Sequence, residues 1–144
     1  MNTVRLLEER EDAALSSRFN VTIVYETAQD GIRAKHLSDQ LAVVVGGDQE
    51  LTVNLHVWNF QVLTLPEVRE IAAGTAATAD VVILSLSGTE AFPAHVEDWM
   101  ILWSCIEDFK DPAIYALYPD SLHQQAPIRA NLLRMGRNRG LNFL

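Results

Sequence analysis

The order of apolar and polar positions divides the chain into strand-like and helix-like segments that alternate. Residues 20–26 (NVTIVYE) are β-branched and aromatic, the composition of a strand. In residues 29–45, Ile32, Leu37, Leu41, Val44 and Val45 recur near helical spacing, and Gly46-Gly47 marks the end as a C-cap. Residues 51–58 give the clearest signal. Leu51, Val53, Leu55 and Val57 alternate with Thr52, Asn54, His56 and Trp58, the period of a half-exposed strand. Leu65-Pro66 opens a helix, with Pro in the first turn, that runs through the Ala-rich residues 71–79. Residues 81–86 (VVILSL) are a nearly continuous apolar run, which predicts a central strand buried on both faces. From Pro93 a helix gathers Val96, Trp99, Met100, Trp103 and Ile106 on one side, and Asp111-Pro112 breaks it ahead of a strand over residues 113–118. A helix over 126–137 that stops at Gly140, a short strand over 141–144, and an N-terminal helix over 6–18 complete the reading.

This is a β-α-β-α-β-α-β-α-β order with short connections, which predicts an α/β protein with helices on both faces of a parallel sheet. The edge-like strand comes second and the fully apolar one third. The expected architecture is therefore a three-layer α/β/α sandwich around a five-stranded parallel sheet of order 2-1-3-4-5. The chain divides into an N-terminal helix (1–18) and one domain (19–144). A helix after the last strand is missing, so the N-terminal helix or a partner chain is expected to cover that part of the sheet.

Composition narrows the function classes. The chain has 144 residues, 11 Lys+Arg against 19 Asp+Glu, and a single cysteine, Cys105, so no internal disulfide framework is possible. Apolar runs such as 81–84 and 99–103 fall far short of the roughly 20 residues of a membrane span. Residues 1–12 are mostly polar and charged, without a cationic-then-apolar leader pattern, so a soluble cytoplasmic protein is expected. Arg129, Arg134, Arg137 and Arg139 stand in an acid-free tail on a strongly acidic body. That distribution predicts no nucleic-acid binding; the arginines read first as a solvated helix face, and as the sharper alternative a docking patch for an acidic partner or a second copy.

In this sheet order a ligand crevice lies between the loops after strands 1 and 3. Those loops are residues 26–31 (ETAQDG) and 85–90 (SLSGTE), bordered by residues 118–121 (YPDS), with Trp58 on the same rim as a possible flat wall. The stretches IVYETAQDGIRAKHLSDQLA (23–42) and ADVVILSLSGTEAFPAHVEDWM (79–100) resemble the first and third strand–loop–helix units of flavodoxin-like proteins. That resemblance implies flavin mononucleotide (FMN) held by Thr27, Gln29, Gly31, Ser87, Gly88 and Thr89, with Trp58 or Tyr118 stacking on the ring. Thr27 and Gly31 match the family's phosphate loop. Its later hydroxyls are missing, and Asp30 puts a negative charge where the phosphate would lie. Receiver domains resemble this chain less. Ser87 stands at their phosphoacceptor position, and neither Lys35 nor Lys110 follows a last strand. Glu97 resembles the helix glutamate of dinucleotide-cleaving TIR domains, but it reads as an exposed helix acid.

Other chemistry finds little support. There is no G-x-S-x-G, G-x-x-x-x-G-K-[ST] or G-x-G-x-x-G. His36, His56, His95 and His123 share no metal spacing, so no metal site is expected. Cys105 reads as a small buried hydrophobe, and Trp99 and Trp103 as packing residues. The crevice acids Glu26, Asp30, Glu90 and Asp120 repel phosphate. The expectation is a non-enzymatic, flavodoxin-like interaction or regulatory module without catalytic residues or cofactor, working through a protein partner or as a homodimer. The alternative is an FMN-binding electron-transfer protein.

Overall fold

The computed structural model describes residues 18–49, 51–87, 93–106 and 111–117, together with Arg134 and Arg137, both helical and exposed. These residues form a mixed α/β structure with four parallel strands and three α-helices. The elements are β1 (Arg18–Tyr25), α1 (Ala28–Gly46), β2 (Thr52–Asn59), α2 (Pro66–Ala77), β3 (Val81–Ser85), α3 (Ala94–Ser104) and β4 (Ala113–Leu117). A 3-10 turn, Phe60–Thr64, that the sequence pattern did not predict links β2 to α2. The strand order is β2-β1-β3-β4, every neighbouring pair being parallel. The expected strand over 141–144 lies outside the described residues, as do the N-terminal helix up to residue 17 and most of the helix over 126–137. Arg18, expected to end a helix, instead begins β1, opposite Thr52 of β2.

Each helix starts and stops for a local reason. Thr27 caps α1 in extended geometry, accepting from the Asp30 backbone N–H while the Asp30 side chain accepts from the Thr27 backbone N–H. At the other end Gly47 takes φ 57°, a left-handed value that favours glycine. Pro66 fills the first turn of α2, where a missing N–H costs nothing. Arg69 then ties α2 to the turn before it, its Nε donating to the Leu63 carbonyl at 2.8 Å, with its guanidinium 3.7 Å from Asp98 of α3.

Register decides which side chain meets which layer. Opposing residues in a parallel ladder share a face, so Val21, Leu55 and Val81 look one way and Thr22, His56 and Val82 the other. The first face carries Phe19, Val21, Ile23, Val81 and Ile83 against Ala34, Leu37 and Leu41 of α1. The second carries Val24, Val82, Leu84 and Ile114 against α2 and α3, including the Ala-rich stripe Ala72, Ala73, Ala76 and Ala77. Trp99 and Trp103 are fully buried there and stack with centroids 5.4 Å apart, as their four-residue spacing predicts. Every residue of β3 is buried, as the run VVILS predicts for a central strand.

Two expectations change. Cys105 is exposed rather than buried: α3 ends at Ser104 and Cys105 is its C-cap, beyond the buried stripe of the helix. The apolar face of β2 is also less covered than its alternation implies. Val53 and Val57 are 39% and 48% exposed, whereas Trp58, on the polar set, packs half-buried under α2. The cause is that α1 lies over β1 and β3 and reaches β2 little.

Asp80 closes the N-terminal end of the sheet. Its carboxylate accepts from the Asn20 N–H at 2.8 Å, its own N–H donates to the Asn20 carbonyl at 2.8 Å, and its carbonyl accepts from the Ala113 N–H at 3.1 Å. Trp99→Ala is expected to lower unfolding free energy by about 3–5 kcal/mol through cavity formation. Asp80→Ala is expected to cost about 1–3 kcal/mol, since it orphans the Asn20 N–H. Urea unfolding followed by circular dichroism checks both.

Candidate functional site

The carboxyl ends of β1 and β3 lie side by side where the connections diverge, β1 leading to β2 on one side and β3 to β4 on the other. This is the switch point at which open α/β sheets place ligands. Its walls in this chain are Glu26 and Thr27 after β1 and Leu86 and Ser87 after β3.

The two loops are bonded to each other. The Glu26 N–H donates to the Ser85 carbonyl at 3.1 Å, and the Ser87 hydroxyl donates to Glu26 Oε2 at 3.0 Å. Thr27 is likewise engaged. Its N–H and its hydroxyl donate to Asp30 Oδ2, at 3.0 and 2.8 Å, and its Oγ1 accepts from the Asp30 N–H at 3.3 Å. Asp30 is fully buried, and its other oxygen faces the Arg33 guanidinium at 3.3 Å. A helix N-terminus attracts anions through its unpaired N–H groups and its dipole. In α1 the Asp30 carboxylate stands at this end and accepts from the Thr27 N–H and hydroxyl.

The candidate residues therefore fall into three groups. Thr27, Gln29 and Gly31 share the first turns of α1, and Ser87 stands across from them against Glu26. Gln29 and Thr27 are exposed, and Gly31 lies so close to the Tyr25 ring that an added Cβ would come within 3.2 Å of it. Trp58 is not brought to the crevice. Its indole N–H donates to the Thr75 hydroxyl of α2 at 3.1 Å, which fixes the ring on the α2 side of the sheet. Gly88, Thr89 and Tyr118, with Glu90 and Asp120, lie outside the described residues.

Sequence reasoning missed a second feature beside the crevice. An apolar groove of about 380 Å³ opens between the first half of α1 and the edge of β2. Ile23, Tyr25 and Val57 form its floor, and Ala28, Gly31, Ile32, Lys35 and His36 its helical wall. Lys35 is paired with Asp39, and Ile32 is 53% exposed. Ile32 and Val57 were legible as apolar positions, but nothing in their spacing told that α1 would leave them open. Among the described residues no three His, Cys, Asp or Glu side chains converge as metal ligands. No helix among them is long and apolar enough to cross a membrane.

Comparison of the chain with protein-family models, with curated proteins and with solved structures finds no match.

Thr27→Ala removes the hydroxyl that Asp30 both donates to and accepts from, so it is expected to destabilise the fold by about 1 kcal/mol. Thermal unfolding at neutral pH measures it, and Thr27→Ser is expected to restore most of the loss.

Proposed function

We propose that this chain is a flavodoxin-like module that acts through protein contacts and performs no chemistry on a bound nucleotide. In this reading residues 141–144 add a fifth strand beside β4, completing the order 2-1-3-4-5. The observation that carries the functional part is the Asp30 carboxylate seated on the Thr27 N–H and hydroxyl at the α1 N-terminus. A phosphate would need those donors, and taking them would leave a fully buried carboxylate without its hydrogen bonds. It would also face Glu26 across the crevice. Unit charges of like sign 4 Å apart near a protein surface repel by about 4 kcal/mol. Arg33 compensates Asp30, whereas the contact to Glu26 comes from the neutral Ser87 hydroxyl. The position of Trp58 adds support, since its indole is held by Thr75 rather than presented as a stacking wall.

The test is direct. The purified protein is expected to be colourless, without flavin absorbance, and its melting temperature to stay unchanged on addition of FMN. A ligand present at about a hundred times its Kd would stabilise the fold by about 2.7 kcal/mol, a shift of several degrees. A yellow protein, or such a shift, overturns the reading in favour of an FMN-binding redox protein.

A further inference from the structure

We propose that two copies of this chain join edge to edge through β2, antiparallel across a two-fold axis, so that one sheet runs through both. This partner gives the protein-contact reading its occupant, and its test is independent of the flavin titration.

Among the described residues β2 has one strand neighbour, β1. An edge strand turns roughly half of its backbone N–H and C=O groups outward, a ready template for another strand. Proteins normally blunt such an edge with Lys, Pro, a bulge or an inward charge. β2 has none of the residues used for this. The sequence Thr52–Asn59 reads TVNLHVWN, and its register against β1 is continuous over all eight pairs. Its charge is also permissive. Residues 51–66 contain no Asp, Glu, Lys or Arg in a chain of net charge −8, so copies that repel elsewhere meet here over a neutral strip.

The strand is its own complement. Opposing residues in an antiparallel pair share a face, so apolar meets apolar only if a residue of β2 lies opposite its own copy on the axis. Centred on Leu55, the apolar face pairs Val53 with the partner's Val57 and Leu55 with the partner's Leu55. The other face pairs Asn54 with the partner's His56, a donor and acceptor match. Centring one residue later would set Val53 against the partner's Asn59 and bring two imidazoles together. The Leu55 register covers Val53 and Val57, the exposed apolar residues that α1 leaves open. A two-fold normal to the sheet keeps both α1 helices on one side, so the grooves beside Ile32 and Val57 face each other across the axis.

Light scattering at tens of micromolar is expected to give twice the 16.1 kDa of one chain. The double variant Val53→Lys/Val57→Lys is expected to be monomeric with an unchanged circular dichroism spectrum, since both side chains already reach solvent. As a readout that does not depend on that variant folding, Leu55→Cys in a Cys105→Ser background is expected to form a disulfide-linked dimer on mild oxidation. A monomer mass for the unmodified chain overturns the proposal. So does a dimer that survives both lysines in a folded protein, or a dimeric Leu55→Cys protein that does not cross-link.

Discussion

Everything in this structure depends on covering both faces of a parallel sheet. Parallel strands cannot be joined by tight turns, so each connection carries a helix, and each helix has to bury one stripe against the sheet. β3 lies at the centre of this constraint. Val81 and Ile83 point toward α1, while Val82 and Leu84 point toward α2 and α3, and all four are buried. The two cores are unequal. The α2–α3 side holds the two stacked tryptophans and the alanine stripe, and on the other side, among the described residues, α1 lies over β1 and β3.

That inequality produces the open groove. Among the described residues α1 is the helix on this face, and the side chains of β2 and β4 that point to it remain half-covered. At β2 the open side chains are valines and the strand is uncharged. The shortage of cover leaves Val57 in solvent, and, separately, among the described residues β2 is an edge with β1 as its one strand neighbour; the proposed pairing rests on both.

At the switch point the constraint is electrostatic. The first N–H groups of α1 lack intrahelical acceptors, and the capping box of Thr27 and Asp30 satisfies the N–H groups of those two residues from within the chain. The buried Asp30 carboxylate takes up two donors at this helix start, the Thr27 N–H and hydroxyl. The α/β scaffold provides the crevice, and among the described residues Glu26, Asp30 and Ser87 spend hydrogen bonds there on the protein itself.

The sequence was legible wherever a signal is local. The alternation of Leu51 to Val57, the run VVILS, the Pro66 start and the Gly46-Gly47 stop each follow from the preferences of a few neighbouring residues, and those elements stand within a residue or two of where they were read. The charge of Asp30 beside Thr27 was legible too, though not its hydrogen bonds. The 3-10 turn Phe60–Thr64 escaped because its anchor, Arg69, lies on the following helix and bonds back to the Leu63 carbonyl. Cys105 was misjudged because burial depends on where α3 ends, not on the apolar residues before it. Trp58 shows the same limit. Its alternation assigns it to one face of β2, but only the placement of Thr75 decides that this face is packed and the valine face left open. The chain by itself determined which segments are strands and helices, because those choices are made by periods of two and 3.6 along the backbone. Tertiary structure alone decided which strand face is covered and which donors are already taken, because both depend on residues far apart in sequence meeting at one place.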